Sequence, residues 1–352
     1  MSHLSKTVGA LLFDGKGILA ADETPSTLTK RFDALGINST SSSRRDYRHL
    51  LITAPGAADF ISGVILQDET IRQSDANGTS MADVCKKLGI IVGIKVDAGA
   101  KPLAGRAPEQ ITEGLDGLRE RLAEYKKMGA RFAKWRAVFA VTEMLPSAGC
   151  IDANASALAR YAALCQEQDI VPIVEPEVLM YGRHTLERCE SVTSDVLSAV
   201  FSALHEQGVR LEEMLLKPNM IVPGDKCPEQ ATVPSVAAAT LRCLRRYVPV
   251  AVPGIVFLSG GQRDVTATQH LDAINRVGGP KPWRLTFSYG RALQDAALAA
   301  WRGRAENVTA AQGIFYQRAR SNGLAAIGSY SEDDERYIGT PPPMRAVRPA
   351  AH

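Results

Sequence analysis

Eight short apolar runs recur along the chain at regular intervals, and almost every one closes on polar or charged residues. Residues 18–21 run straight into Asp22-Glu23-Thr24, and residues 60–66 form a second run. Residues 90–96 include Lys95 and stop at Asp97, and residues 131–139 carry Lys134 and Arg136. Residues 170–174 meet Glu175-Pro176-Glu177, and residues 214–216 meet Lys217-Pro218. Residues 254–258 close on Ser259-Gly260-Gly261, and residues 283–287 on Ser288-Tyr289-Gly290-Arg291. Runs of this length, rich in Ile, Val and Leu, predict buried strands. Between them, residues 114–128, 156–168, 191–207 and 234–246 show helical periodicity, as do residues 5–13 at the start. Eight strands alternating with helices predict an α/β fold, a (β/α)8 TIM barrel of parallel strands. A doubly wound sheet is the competing layout, but no GxGxxG follows the first strand.

Nothing linker-like divides residues 1–330, which are expected to form one barrel domain. Residues 331–352 differ. Acidic Glu332-Asp333-Asp334-Glu335 precedes Pro341-Pro342-Pro343 and a basic end, a composition that predicts a flexible C-terminal tail. Apolar residues make up 45% and charged residues 22%, ordinary for a globular protein, and a net charge of +3 gives no footprint for nucleic acid or membrane. No run approaches the roughly 20 apolar residues of a membrane span, and residues 8–13 are too few for a signal-peptide core. The six cysteines are scattered without a CxxC pair, which predicts reduced core thiols and a cytoplasmic location. The six histidines are far apart, so no metal site is expected, and His184 beside Glu187 reads as a surface helix pair.

In a parallel barrel the ends of the strands build the active site, and here seven of eight strand ends carry polar groups. Lys217 would occupy the last position of its strand, with Pro218 stopping the pairing. Desolvation disfavours an ammonium there, which leaves a free amine able to condense with a carbonyl as a Schiff base. Alone, such a lysine is more often a cation snorkelling off a strand end. Its company changes the picture. Side chains two apart share a strand face, so Lys134 with Arg136, and Glu175 with Glu177, would crowd the same pocket as Lys217. That set places an acid/base beside an amine nucleophile, the alternative being two structural salt bridges. Ser259-Gly260-Gly261 and Gly290-Arg291 are turns whose N–H groups and guanidinium suit a phosphate, beyond serving as tight connections. Lys95, Thr24, Thr27 and Arg31 could hold a second phosphate across the pocket.

These segments resemble the class I, Schiff-base fructose-1,6-bisphosphate aldolases. The matching motifs are GKGILAADET (15–24), GVILQDET (63–70), GIKVD (93–97) and EGLDGLRERLAEYKKMGARFAKWR (113–136), followed by PIVEPEVL (172–179), LLKPNM (215–220), FLSGGQ (257–262) and FSYGRALQ (287–294). The resemblance implies that Lys217 forms the Schiff base, that Glu175, with Lys134 beside it, shuttles protons, and that Asp22 takes the C4 hydroxyl proton. It implies that Glu177 supports Lys217 and Glu175. Ser259, Gly260, Gly290 and Arg291 would form the C1-phosphate side, and Lys95, Thr24 and Thr27 the C6-phosphate side, with Arg31 and Arg136 as further site arginines and Ser288 as a further substrate-binding residue. It also implies glycolytic and gluconeogenic sugar phosphates as substrates, no cofactor and a homotetramer. Two positions depart from the animal enzymes. Those end in a tyrosine that assists enamine protonation, whereas this sequence ends Ala350-Ala351-His352, with Tyr330 and Tyr337 upstream. In the turn after Asp22, Pro25 and Thr27 stand where the animal enzymes have threonine and serine.

Two other readings remain open to test. Another lysine aldolase, of transaldolase or deoxyribose-phosphate type, would need one phosphate site and not two. A non-catalytic scaffold on the same frame would be expected to lack Lys217, Glu175 or Asp22, and all three are present.

Overall fold

Alternation of apolar residues along each run decides which side chains point into the barrel and which pack outward against helices. The computed structural model describes residues 2–336. Its eight parallel strands are β1 (Gly17–Ala20), β2 (Ile61–Leu66), β3 (Ile91–Lys95), β4 (Phe132–Phe139), β5 (Val171–Val178), β6 (Leu215–Leu216), β7 (Gly254–Phe257) and β8 (Arg284–Tyr289). Each pairs with its sequence neighbours and β8 closes onto β1, through Ile18 opposite Ser288. The expected (β/α)8 barrel is therefore the observed one.

The interior is layered. Ile18, Ala20, Ile65, Phe132, Val171, Ile173, Leu215 and Val256 form one buried cluster. The helix His3–Leu11 closes that end from below, adding Leu4, Val8, Leu11 and Leu12 to the cluster. Gly93 makes the layer possible, because a Cβ there would sit 2.2 Å from the Phe132 ring. The larger core lies outside the barrel, between the strands and the surrounding helices, and includes Leu19, Leu66, Trp135, Val174 and Phe257. Successive side chains on a strand face opposite ways, so the residues two and four beyond the inner apolar layer also face inward. Those are Asp22, Lys134, Arg136, Glu175, Glu177 and Lys217. The pattern that fills the barrel floor with hydrocarbon thus fills its mouth with charge.

The structure extends some predicted elements. β5 runs through Glu175-Pro176-Glu177 to Val178, because Arg136 to Phe139 of β4 stay in register with residues 175–178. The helix expected at 156–168 begins at Ala148, where the Ser147 hydroxyl accepts from Cys150 N and the Glu109 carboxylate accepts from Ser147 N. A two-stranded antiparallel ribbon, Ala100–Pro102 with Gln110–Thr112, was not legible in the sequence pattern. The acidic segment Glu332–Arg336 forms a 3-10 turn fastened to the helix Val308–Ala326 by Arg320 on Asp334 at 2.9 Å and by Arg318 on Glu335. The rest of the expected tail, including Tyr337, lies outside the described residues. Among the described residues, no helix is long and apolar enough to cross a membrane.

Candidate active site

Lys217 follows β6 directly, and its backbone N–H still donates to Val174 O of β5 at 2.8 Å. The chain is therefore held as strand up to the lysine and released at Pro218. Its side chain is buried, with Nζ 3.1 Å from Glu175 Oε1. The other carboxylate oxygen of Glu175 lies 3.2 Å from Lys134 Nζ. That oxygen, Oε2, is shielded from solvent and holds no hydrogen bond, its contact with Lys134 being ionic only. Lys134 Nζ in turn stands 2.7 Å from Asp22 Oδ2. An unbroken chain of alternating charge runs from Lys217 through Glu175 and Lys134 to Asp22, contributed by four separate barrel positions.

Burial is the largest influence on Asp22 and works against its charge. The ammonium groups of Lys134, Lys217 and Lys95 together outweigh it and hold the carboxyl down at about 2. For Lys134 the same contest runs the other way. Burial disfavours its charge, but Asp22, Glu175 and Asp97 raise it well above the ordinary lysine value. Lys134 is thus a fixed cation and Asp22 a fixed anion at neutral pH.

One step towards solvent, Arg136 Nε pairs with Glu177 Oε2 at 2.5 Å. Against the largest opposing influence, burial, Glu177 keeps the guanidinium strongly protonated, with Glu175 adding to its field. Glu177 is expected to support Lys217 and Glu175, and its ion pair is with Arg136. Lys95 Nζ contacts Asp97 Oδ1 at 2.5 Å and donates to Asp97 O at 2.7 Å. Asp97 also accepts from Arg136 N at 3.3 Å and Gly99 N at 3.1 Å. Sequence reasoning passed over Asp97, although its signal was there. Lys95 and Asp97 show the two-residue spacing that singled out 134 with 136 and 175 with 177.

On the β1 side, Thr24 caps the helix Pro25–Asp33 by accepting from Thr27 N, and the two threonine hydroxyls meet at 2.9 Å. Arg31 projects from that helix between Glu23 at 2.5 Å and Asp295 at 2.6 Å, with Gln294 at 3.3 Å. Across the mouth, Gly260 and Gly261 take φ of +61° and +96°, a left-handed pair that a side chain would strain. Gly290 caps the helix Arg291–Trp301, and its N-terminus has no side-chain capping hydrogen bond. Beneath these turns the Ser288 hydroxyl is buried without a hydrogen-bond partner, and Ser259 is buried too. An orphan hydroxyl, a left-handed glycine turn and a helix N-terminus with no side-chain cap suit an oxyanion. All fifteen residues predicted for the site line one cleft of about 670 Å³.

Arg48 grips the backbone around Asp22, a contact that the sequence did not reveal. It is wholly buried and donates to Ala21 O at 3.0 Å, to Glu23 O, and to Thr70 Oγ1 at 2.8 Å. Both carbonyls flanking Asp22 are therefore held by one guanidinium. In sequence it is one of several arginines on a polar helix, with no mark of burial. His184 corrects an expectation. It sits in the loop before the helix Leu186–Glu206, is only 8% exposed, and neither ring nitrogen has a partner, so it is no surface pair with Glu187. Tyr330 is buried, with its hydroxyl on Glu335 at 2.8 Å. Among the described residues, no group of His, Cys, Asp and Glu could hold a metal ion. All six cysteines are buried free thiols.

Comparison with known proteins gives consistent results. A family model described as fructose-bisphosphate aldolase class-I matches residues 3–340. The probable fructose-bisphosphate aldolase class 1 of Xanthomonas campestris is 54% identical over 331 residues, covering 94% of this chain and 99% of that one. Fructose-bisphosphate aldolase C of Homo sapiens is 52% identical over 334 residues, 95% of this chain and 92% of that one. Among solved structures, fructose-bisphosphate aldolase from Plasmodium falciparum, crystallised with TRAP and a small-molecule inhibitor, superposes with a TM-score of 0.92. It is 48% identical and covers 94% of this chain and 95% of its own.

Proposed function

The chain belongs to the class I fructose-bisphosphate aldolase family, and from that premise we propose how its own residues divide the reaction. The reaction is the reversible cleavage of fructose 1,6-bisphosphate to dihydroxyacetone phosphate and glyceraldehyde 3-phosphate, a lyase step of glycolysis and gluconeogenesis. It proceeds through a lysine Schiff base and needs no metal ion.

Lys217 is the nucleophile. Its amine, once it has given up a proton, adds to the C2 carbonyl, and Glu175, 3.1 Å away, moves the protons that release water from the carbinolamine. The resulting iminium draws the C3–C4 bonding pair as the bond breaks. Asp22 takes the proton of the C4 hydroxyl, that oxygen becomes the aldehyde carbonyl, and glyceraldehyde 3-phosphate departs. The enamine left on Lys217 is protonated at C3, and water hydrolyses the imine to free dihydroxyacetone phosphate. Lys134 keeps Asp22 and Glu175 oriented by its contacts to both. Ser259, Gly260, Ser288, Gly290 and Arg291 bind the C1 phosphate. Lys95, Thr24, Thr27 and Arg31 serve the C6 end, with Arg136 beside the sugar. Two anchored phosphates hold the reacting carbon over Lys217 and supply orientation.

The observation that carries the assignment is the Lys217–Glu175–Lys134–Asp22 chain, which joins a nucleophile to an acid/base and to a second, ionised base within one cleft. Borohydride reduction in the presence of dihydroxyacetone phosphate tests it. The expected result is irreversible inactivation with the adduct mapped by mass to Lys217, and none in Lys217→Ala. An adduct elsewhere, or an inert folded protein, would remove the assignment. The six buried free thiols and the family membership support a cytoplasmic homotetramer as the working form.

A further inference from the structure

Tyr181 stands on the turn after β5, and none of the roles above uses it. Its ring is half exposed, yet its hydroxyl is not idle, because Arg291 Nη2 donates to it at 3.4 Å. The Gly260-Gly261 turn lies against the same two groups. A Cβ built on Gly261 would fall 3.3 Å from Arg291 Nη2 and 3.6 Å from the Tyr181 hydroxyl. Backbone of the glycine turn, guanidinium and phenol therefore converge from β7, β8 and β5 beside Arg291, which itself lines the cleft.

The turn that carries Tyr181 is fixed on both sides of it. Asp225 N donates to Met180 O at 2.7 Å, and Lys226 N donates to Gly182 O at 2.8 Å. The Asp225 carboxylate accepts from Gly182 N at 2.8 Å. Gly182, at φ +132°, supplies the bend that a residue with a Cβ would resist. An aromatic ring presented to solvent on a stapled turn adds little to the core, and its one polar contact is with the arginine of the anion site. A phenol can accept from a guanidinium and donate its own proton at the same time.

We propose that Tyr181 is a further binding residue for the substrate's C1 phosphate, orienting Arg291 and donating its hydroxyl proton to a phosphate oxygen. The inference rests on the assignment of the Ser259–Gly261 and Gly290–Arg291 turns to that phosphate. It makes Tyr181 a determinant of selectivity for ligands phosphorylated at the ketone end.

Tyr181→Phe in the full chain tests this, since it removes one oxygen from a half-exposed ring and leaves packing intact. KM for fructose 1,6-bisphosphate, for fructose 1-phosphate and for dihydroxyacetone phosphate should each rise roughly 5- to 10-fold, the loss of one charge-assisted hydrogen bond. KM for glyceraldehyde 3-phosphate in the condensation direction should not move, because that substrate brings only the other phosphate. Unchanged KM values for the three C1-phosphorylated ligands would overturn the proposal. An equal rise for glyceraldehyde 3-phosphate would overturn it too, as a general loosening of the loops. Borohydride trapping with saturating dihydroxyacetone phosphate reads Lys217 independently of Tyr181. An adduct in parent and variant alike leaves the KM comparison to decide for or against Tyr181. Its absence from the parent would overturn the lysine assignment and the inference with it.

Discussion

At the scale of single residues, the site turns on a contest between burial and charge. Asp22 sits where a carboxyl would prefer to be protonated, and three lysines prevent it. It is a carboxylate at any pH above about 2, so its own titration does not set the acid limb of the parent enzyme. Lys134→Met removes the nearest of those cations, at 2.7 Å, and leaves the burial. The Asp22 pKa must then rise, so more of it is protonated at a given low pH. The acid limb of kcat/KM should move to higher pH, with kcat down by about 100-fold or more at neutrality. A pH–rate profile checks this, and an acid limb that stays in place would show that losing Lys134 does not lift Asp22 past the group that sets the limb in the parent. Lys134 itself was legible from its spacing to Arg136. Which carboxylates it would meet was not, because that depends on strands β1 and β5 arriving beside it.

At the scale of elements, the barrel strands were readable because each is built on a short apolar run, and most of their ends because charge follows. The helix Ser41–Ile52 shows where such reading stops. Its Arg48 looks like solvated charge, yet it is buried and ties that helix to the loop bearing Asp22. Arg48→Met would strand two backbone carbonyls and the Thr70 hydroxyl in a dry interior, at a cost of about 2–4 kcal/mol in stability. If Arg48 positions Asp22, kcat for cleavage falls in the folded variant while Schiff-base trapping with dihydroxyacetone phosphate persists. Arg48→Lys should recover part of kcat, since an ammonium reaches one carbonyl but not both. Loss of trapping and cleavage together would make Arg48 a purely structural residue. The Ala100–Pro102 and Gln110–Thr112 ribbon escaped notice for a different reason: three-residue strands leave no periodicity to detect.

At the scale of the whole molecule, the barrel separates a hydrocarbon floor from a charged mouth, and closure of β8 on β1 brings turns proposed for the two phosphates onto adjoining strands. Gln294 illustrates the closure. From the helix that begins at Arg291 its amide donates to Ala20 O at 2.6 Å and accepts from Arg31, so the first and last units of the chain share one buried strut. The proposed homotetramer belongs to this scale as well. Sedimentation equilibrium of the full chain should return the mass of four copies, and a fully active monomer at all accessible concentrations would refute it.

The sequence by itself determined the number and order of the barrel strands, the alternation that turns charge inward, and the residue types gathered around Lys217. These are local properties: strand length, two-residue periodicity and the strand-ending Pro218 act within a few residues. Only the tertiary structure decided the pairing. Glu175 reaching both Lys217 and Lys134, Lys134 reaching Asp22, Arg48 gripping the carbonyls beside Asp22, and Tyr181 meeting Arg291 each join residues far apart in sequence. Such contacts depend on strand register and barrel closure, which follow from the packing of the entire core and from no single stretch of it.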